Sequence, residues 1–342
     1  MAATSLSSWS QADVLGELVA ERYGLSEVTL EPISPYTFED RGIYRVRGRD
    51  GSAFVLRAFT GDVMSSLRRQ VAVLDLLQQR RLSAPVIQRA GDGSAIAHWQ
   101  GWTALLVTYV EGDVASFSPE DVETLAGYLG RLHNLPRDVA QSEPISIGLT
   151  PTHPGLAADQ ALANLSRALP QVPDWLKQFC QDSIASIGAV EGAHRSGLLP
   201  ETIIHGDCWP ANAVRQPDGQ IVLIDWDRAG IGLAFLDLCY LLLTCHLGKP
   251  QLPAMEPDEA LITAVVRGYC RERRPSAAEL NLLESGLLYD IALRAGYDIH
   301  FDASAESLIE NVWLQKLLAR YGVCPRIATV ARELFRADGE LR

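Results

Sequence analysis

Three side chains with oxygen ligands lie close together in the sequence between residues 202 and 227. Asp207 and Asn212 are five residues apart, and Asp225 follows thirteen residues after Asn212. Short runs rich in β-branched residues precede Asp207 and Asp225, which predicts that two adjacent strand ends deliver these groups. Two carboxylates and a carboxamide in this arrangement suit binding of Mg²⁺ on a phosphate chain and acceptance of a proton from a hydroxyl.

The intervals between these residues match those of phosphoryl-transfer enzymes. Such enzymes need little covalent chemistry from the protein, because positioning and neutralisation of charge carry most of the catalysis. In the kinase pattern, a catalytic Asp is followed five residues later by Asn, and a metal-binding Asp follows the next strand. His205-Gly206-Asp207, Asn212 and Asp225 fit this pattern, and Pro217-Asp218-Gly219 predicts a hairpin turn between the last two.

At this point the sequence resembles a known family. The segments HGDCWPAN (205–212) and VLIDWD (222–227) resemble the aminoglycoside phosphotransferase/choline kinase-like superfamily of small-molecule kinases, which has a protein-kinase-like fold. The segments LGRLHNLP (129–136) and GIGLAFLDLCYLL (230–242) are similar to further parts of that family. The resemblance covers most of the chain, from about residue 25 to residue 300.

The resemblance implies a role for each residue of the 202–227 segment. Asp207 would be the catalytic base that orients the acceptor hydroxyl, and Asn212 and Asp225 would bind Mg²⁺. Asp237 would brace the catalytic loop by accepting backbone N–H bonds, and His205 would also support that loop. The implied cofactors are ATP and Mg²⁺. The contribution of Asp227 stays open between a second metal and solvent, and His133 is interpreted as a packed residue at a helix end.

The resemblance also implies that the first part of the chain binds the nucleotide. Arg57 stands where the family usually has a Lys on the third strand, and Gln70 stands where a Glu normally pairs with that residue. Arg is able to bind phosphate in a bidentate manner. Gln is able to hydrogen-bond the guanidinium of Arg57 but is unable to neutralise its charge. The phosphate loop lacks the expected glycines, so Ser34 and Thr37 are the candidate donors. The hinge would offer backbone groups to adenine from Thr108, Tyr109 and Val110.

The elements predicted around these residues form an α+β fold with two lobes, as in protein kinases. Residues 1–110 predict an N-terminal nucleotide-binding lobe, and residues 111–342 a larger, mainly helical lobe with the catalytic loop and the acceptor site. At 342 residues the chain is long enough for two cores. The small lobe is an antiparallel sheet with one helix between its strands, built from predicted strands at 28–33, 42–47, 53–59, 95–99 and 103–110 and a helix at 62–81.

Charge and composition exclude several classes of partner. A net charge of −12 and a pI near 5.1 argue against binding of nucleic acid or an anionic membrane surface. The six cysteines form no CxxC pair, and the N-terminus lacks the pattern of a signal peptide. We therefore expect a cytoplasmic protein with reduced cysteines, whose partner is a small-molecule hydroxyl acceptor. The oligomeric state is left open.

The acceptor and the activity itself leave alternatives. An acidic stretch includes Asp290, Asp298, Asp302, Glu306 and Glu310, which would suit a cationic acceptor such as an aminoglycoside or amino alcohol, but a solvated helix face explains it equally well. Gln70 and the glycine-poor loop keep open a catalytically weak or inactive pseudokinase that only binds a nucleotide or ligand. A protein kinase is disfavoured, because the segment after Asp225 is too short to dock a peptide.

Overall fold

The structure is a computed structural model that describes residues 11–33, 41–135, 157–246, 256–299 and 312–340. The chain divides into two compact units, Met1–Glu111 and Gly112–Arg342. Of the residues singled out in the sequence, Ser34 and Thr37 lie outside the described residues. The α+β fold class is confirmed: the first unit is organised around an antiparallel sheet, and the second is mainly helical.

The sheet of the first unit has its strands in the order β1-β2-β3-β6-β4, with β5 also paired to β6, and every pairing is antiparallel. Its turn between β5 and β6 contains Gln100 and Gly101, both with positive φ, which is the backbone of a tight two-residue hairpin. The strand too short to be predicted is β4. The strands are β1 Thr29–Pro32, β2 Arg41–Arg47, β3 Ala53–Phe59, β4 Ile87–Gln88, β5 Ile96–Trp99 and β6 Trp102–Thr108.

The apolar core of the first unit lies on one face of that sheet. Helix α1, Gln11–Tyr23, contributes Leu15 and Leu18 to a cluster with Val46 and Leu56 from the strands. Because side chains alternate along a strand, the residue after Leu56 points to the opposite face, and the second helix, α2, Met64–Gln79, follows directly after β3. The face opposite the core is thus the one that presents Arg57.

The second unit is built from helices. Ser118 caps the first of them, as its side chain accepts a hydrogen bond from the backbone N–H of Asp121. The segment from Ala277 to Asp298 forms two helices that meet at Leu282. No helix in the described ranges is long and apolar enough to cross a membrane. The helices are α3 Pro119–His133, α4 Ala158–Ala168, α5 Asp174–Arg195, α6 Ala234–Thr244, α7 Glu259–Cys270, α8 Ala277–Asn281, α9 Leu283–Asp298, α10 Val312–Tyr321 and α11 Cys324–Glu340.

Short strands in the second unit hold the segment that carries the chemistry. The predicted turn at 217–219 joins a hairpin of β9 and β10, and β9 also pairs with β7. The strand before the loop of Asp207, β8, pairs with β11 and not with β10, so the expectation that two adjacent strand ends deliver Asp207, Asn212 and Asp225 is corrected. Because β8 pairs with β11, the two ends of the segment between residues 204 and 230 lie next to each other. The strands are β7 Asp113–Val114, β8 Glu201–Ile204, β9 Ala213–Arg215, β10 Ile221–Leu223 and β11 Gly230–Leu233.

Candidate active site

Asp207 and Asn212 lie together on the loop that follows β8. A short 3₁₀ helix, Pro210–Asn212, turns the chain back so that Asn212 Nδ2 donates to the backbone oxygen of Asp207 at 3.0 Å and to its Oδ2 at 2.9 Å. Because the amide nitrogen is used in this way, the carboxamide oxygen of Asn212 is the atom that remains for a metal ion. The sequence interval of five residues thus corresponds to a direct contact.

Asp225 is held beside Asn212 by the backbone of the residue before it. The N–H of Ile224 donates to the oxygen of Asn212 at 2.9 Å, and the oxygen of Ile224 accepts from Nε2 of His205 at 2.9 Å. Asp225 itself has φ 61° and ψ 61°, a left-handed backbone that costs a non-glycine residue about 1–2 kcal/mol. Such strain persists where the surroundings fix it, and it turns the exposed side chain of Asp225 away from the strand direction.

His205 connects the two parts of the loop and is fully buried. Since Nε2 donates to a carbonyl, the ring carries its proton on that atom, and Nδ1 accepts from the backbone N–H of Asp207 at 3.2 Å. This tautomer satisfies both ring nitrogens with backbone groups. His205 therefore positions both Asp207 and the strand end that precedes Asp225, and its side chain is not exposed to a ligand.

Asp237, in the first turn of α6, accepts two backbone hydrogen bonds from the same loop. Its Oδ2 accepts from the N–H of His205 at 2.7 Å, and its Oδ1 accepts from the N–H of Gly206 at 2.9 Å. Gly206 has φ +79°, and a Cβ added there would lie 2.6 Å from the oxygen of Arg228. A glycine is thus required at this turn, and the buried carboxylate of Asp237 fixes the backbone before Asp207.

Behind Asp237 lies a chain of buried polar groups, here called the inner network: Asp237, His133, Tyr269, Arg273 and Glu279. His133 Nε2 donates to Asp237 Oδ2 at 3.4 Å, and its Nδ1 accepts from the hydroxyl of Tyr269 at 2.8 Å. Arg273 donates to that hydroxyl at 2.7 Å and to Glu279 at 2.8 Å. Burial lowers the pKa of His133, despite the opposing effect of Asp237. His133 is packed, as interpreted from the sequence, and it also contacts Asp237.

The carboxylate of Asp207 contacts the side chains of Asn212, Arg228 and Tyr240. These four residues and Asp225 are here called the outer side. Tyr240 donates its hydroxyl to Asp207 Oδ1 at 2.7 Å, and Arg228 Nη1 lies 3.3 Å from the same atom. The side chain of Asp207 is 18% exposed, so a small molecule is able to reach it. Burial and the negative charges of Asp207 and Asp290 raise the pKa of Tyr240 well above its ordinary value, which keeps its hydroxyl protonated as a donor.

The sequence interpretation missed Tyr240 and Arg228. A signal for Tyr240 was present, because it follows Asp237 by three residues and so lies on the same face of α6. A comparable signal marks the pair of Asp290 and Arg294 on α9, four residues apart, whose side chains lie 2.9 Å apart. Arg294 thus forms an ion pair with Asp290, one of the five acids singled out in the sequence. Asp302, Glu306, Glu310 and the side chain of Asp298 lie outside the described residues.

Asn212 and Asp225 form a small ligand set, and its chemistry fits Mg²⁺. In the described ranges no group of three or more His, Cys, Asp or Glu side chains has an arrangement that could hold a metal. Mg²⁺ does not need one, since it typically keeps several waters and takes one or two protein ligands together with substrate phosphates. One exposed carboxylate beside one carboxamide oxygen matches that requirement.

In the first unit, Arg57 and Gln70 are both buried, at 6% and 5% exposure. Arg57 lies on β3 opposite Ile43 and Leu105, in the middle of the sheet. A guanidinium in such surroundings is costly unless polar groups or a ligand contact it. Because Arg57 lies in a central strand, its guanidinium is able to contact a ligand only on the face of the sheet opposite the apolar core.

The three predicted hinge residues differ in what their backbones offer. The N–H of Thr108 donates to Val86 at 2.8 Å, and the N–H of Tyr109 donates to Ala53 at 2.9 Å. These two amides are therefore already used within the sheet. This narrows the predicted donor for adenine to the amide of Val110.

Comparison with known proteins gives one family and a set of related structures. The model of the Phosphotransferase enzyme family matches residues 36–280 of the 342-residue chain. No curated protein matches the sequence. The family match includes the outer side residues as well as Asp237, His133 and Arg57.

Several solved structures share the fold over nearly the whole chain. An amicoumacin kinase in complex with AMP-PNP, Ca²⁺ and Ami has a TM-score of 0.62 at 15% identity, covering 91% of this chain and 93% of the other. An aminoglycoside phosphotransferase from Alicyclobacillus acidocaldarius has a TM-score of 0.61 at 16% identity, covering 98% and 100%. A microcompartment-associated aminopropanol kinase has a TM-score of 0.58 at 17% identity, covering 94% and 99%. At these identities the likeness establishes the fold.

Proposed function

This chain belongs to the Phosphotransferase enzyme family, and we propose that it transfers the γ-phosphoryl group of ATP to a hydroxyl of a small molecule in the presence of Mg²⁺. The observation that carries the proposal is the set of hydrogen bonds that links Asp207, Asn212 and the backbone before Asp225. Asp207 and Asn212 share two hydrogen bonds, and the backbone of Asn212 holds the strand end that precedes Asp225. A base and two metal ligands are thereby kept in fixed relation.

Asp207 would orient the acceptor hydroxyl and accept its proton as the oxygen attacks phosphorus. Its Oδ1 is held by Tyr240 and approached by Arg228, while its Oδ2 is held by Asn212. These contacts fix the carboxylate against rotation, and fixed orientation is the main requirement of phosphoryl transfer. Proton transfer by a positioned carboxylate typically contributes about 10²–10⁴-fold to the rate.

Asn212 and Asp225 would hold the metal ion. When bound, Mg²⁺ neutralises negative charge on the phosphate oxygens and so stabilises the transferring group. The residues of the chain would supply the position: the left-handed backbone orients Asp225 at the end of its strand, and the bonded amide of Asn212 leaves its carboxamide oxygen for the metal ion.

The first unit would bind the nucleotide through Arg57 and the amide of Val110, together with Ser34 and Thr37, which lie outside the described residues. Arg57 would contact the phosphates in place of the usual Lys, and its planar group suits two oxygens at once. Gln70 would hydrogen-bond that guanidinium without neutralising it. A net positive charge on Arg57 would then be retained for the phosphates.

The acceptor is expected to be an antibiotic or a hydroxylated metabolite. The proteins named above include kinases for amicoumacin and aminopropanol, which supports a small-molecule acceptor without specifying it. All six cysteines are buried and free, which agrees with the expected reducing, cytoplasmic setting.

The test is a screen for acceptor-stimulated ADP release with Mg·ATP, in which each positive is confirmed by ³¹P NMR of the phosphate ester. The panel includes aminoglycosides, macrolides, amino alcohols, sugars and hydroxy acids. We expect at least one ester, and D207N, a matched variant that keeps the size of the side chain, should not form it. Binding of Mg·ATP with no ester from any acceptor would favour the alternative of a non-catalytic nucleotide-binding module.

A further inference from the structure

Between Arg273 and Asp237, the hydrogen bonds of the inner network run in one direction. At one end the carboxylate of Asp237 only accepts, so Nε2 of His133, 3.4 Å from Oδ2, carries the proton. At the other end the guanidinium of Arg273 only donates, so the hydroxyl oxygen of Tyr269 accepts from it at 2.7 Å. Burial lowers the pKa of His133, which leaves its Nδ1 as an acceptor for the Tyr269 hydroxyl at 2.8 Å.

Close packing of α3 against α7 brings Tyr269 to His133. A Cβ added at Gly130, one turn before His133, would lie 3.0 Å from the backbone oxygen of Tyr269, so a glycine permits the helices to approach this closely. The rings of His133 and Tyr269 pack edge to face, with their centroids 5.7 Å apart. Both residues are buried, so packing fixes their contact and shields it from water.

The charged groups that face His133 come from three other parts of the chain. Asp237 lies on α6, Arg273 follows α7, and Glu279 lies on α8. Arg273 and Glu279 form a buried ion pair at 2.8 Å, which holds the guanidinium against the hydroxyl of Tyr269. Because a cation in this position polarises the hydroxyl, Tyr269 becomes a stronger donor to Nδ1 of His133.

The carboxylate of Asp237 shares one oxygen atom between the loop and His133. Its Oδ2 lies 2.7 Å from the backbone nitrogen of His205 but 3.4 Å from Nε2 of His133, so the loop has the shorter bond. A second proton on the ring of His133 would make its N–H a charged donor, and such donors form bonds of about 2.7–2.9 Å to carboxylates. The carboxylate would then be drawn toward His133 and away from the loop that carries Asp207.

We propose that Tyr269 is a positioning residue for phosphoryl transfer: its hydroxyl keeps His133 neutral, so that Asp237 remains bonded to the loop of Asp207. The inference rests on the proposed function, which assigns the chemistry to Asp207. Tyr269 acts through His133 and Asp237 rather than on the reacting atoms. Its removal should therefore change the rate of transfer more than the binding of the substrates.

The kinetic test is Y269F, which removes the hydroxyl and keeps the ring. With an acceptor from the screen and Mg·ATP, kcat should fall about tenfold, as expected for one lost hydrogen bond, while KM for both substrates stays within about twofold. Y289F is the matched control, because it also removes a buried hydroxyl, which donates to Glu191 at 2.6 Å. Its kcat should equal that of wild type.

Nitrogen NMR of the histidine rings tests the same path without turnover. The protein is labelled with ¹⁵N, and H133Q identifies the ring signals of His133. Wild type should carry one proton, on Nε2, down to about pH 6. In Y269F the pKa of His133 should rise, because a hydrogen bond that favours the neutral ring is lost, and its signals should approach those of an imidazolium. The amide signal of Gly206 should shift in Y269F and stay in place in Y289F.

A double-mutant cycle separates positioning from a general loosening of the fold. H133L removes both ring nitrogens, so adding Y269F to it should lower kcat by less than about twofold. Losses in kcat that simply add would show that Tyr269 does not act through His133, and would contradict the proposal. Thermal unfolding verifies that each variant is folded, and the NMR comparison of Y269F with Y289F decides if H133L is not.

The failures of the two proposals are distinct. A kcat of Y269F equal to that of wild type, or unchanged signals of His133 and Gly206, would overturn the positioning role and leave the phosphotransferase intact. Absence of ester from wild type with every acceptor would overturn the phosphotransferase proposal, and with it the effect of Tyr269 on transfer, whatever the NMR signals show.

Discussion

The inner network and the outer side both centre on a carboxylate of the second unit, but the two carboxylates have different partners. Asp237 is almost completely buried and accepts the backbone N–H groups of His205 and Gly206. Asp207 is partly exposed, and the donors to its oxygens are the side chains of Tyr240, Arg228 and Asn212.

The difference predicts that the loss of Asp237 affects mainly stability and that the loss of Asp207 affects mainly catalysis. Removing an acceptor from buried backbone donors leaves those donors unsatisfied, so the loss appears in the free energy of unfolding. Side-chain donors at a partly exposed carboxylate are able to exchange partners with a ligand, so the loss there should appear in turnover. The buried Asp237 thus fixes the backbone of the loop, and the carboxylate of Asp207 in the same loop stays accessible to a ligand.

The largest effect is expected on the outer side, at Asp225, the proposed metal ligand. D225N keeps the shape of the side chain but removes its charge, so acceptor-dependent turnover should fall about 10³-fold or more, because a metal ion supplies several kcal/mol of charge stabilisation. Turnover is measured as a function of Mg²⁺ concentration. A rate within tenfold of wild type at saturating Mg²⁺ would remove Asp225 from the metal site.

Next in size is the loss of the buried acceptor on the inner network. D237A leaves the N–H groups of His205 and Gly206 without their acceptor, so the free energy of unfolding should drop by about 2–4 kcal/mol. Denaturant unfolding measures it. D207A, the matched change on the outer side, should cost far less. Equal losses in the two variants would erase the distinction between the two carboxylates.

A smaller effect is expected for the hydroxyl that holds Asp207. Y240F removes one hydrogen bond to a carboxylate, which should lower kcat by about tenfold. Y289F is the matched control, since Tyr289 donates to Glu191 at 2.6 Å in the same unit, away from the loop. Turnover of Y240F that matches that of Y289F would show that Tyr240 does not act through Asp207.

The smallest effect concerns the pH dependence of stability through His133. Burial lowers its pKa, so below the unfolded value of about 6.5 the unfolded chain binds a proton that the native protein does not, and stability falls as pH falls. Between pH 7 and 5.5, wild type should lose about 1 kcal/mol more than H133Q. Unfolding at both pH values measures this difference. Identical losses would mean that His133 does not stay neutral.

How far the sequence predicted the site depends on whether the contacts are local. The interval between Asp207 and Asn212 predicted that both residues serve one site, and the structure shows that this local spacing is a direct contact. The sequences of the short strands around them did not indicate which strands pair. Strand β8 has only four residues, and its pairing with β11 depends on the packing of the whole unit. The role of strand pairing was therefore misjudged where the contacts are distant in sequence.

The charge around Asp290 likewise depends on contacts that the order of the sequence does not display. The sequence displays Asp290 among several acids, but its neighbour Arg294 neutralises it one helical turn later, and Arg320 comes from another helix. The number of acids in a segment of sequence does not determine the local charge around Asp290, because basic side chains of the same helix and of neighbouring helices also contribute to that charge. Likewise, the hydrogen bonds that occupy the amides of Thr108 and Tyr109 join strands distant in sequence.

The most direct measurement of the central claim is the single-turnover rate of phosphoryl transfer in D207N, with Mg·ATP bound in advance and an acceptor from the screen. We predict a rate about 10³-fold below wild type, with unchanged affinity for Mg·AMP-PNP and an unchanged midpoint of unfolding. A transfer rate within tenfold of wild type, in a variant that is folded and binds nucleotide, would contradict the assignment of Asp207 as the catalytic base.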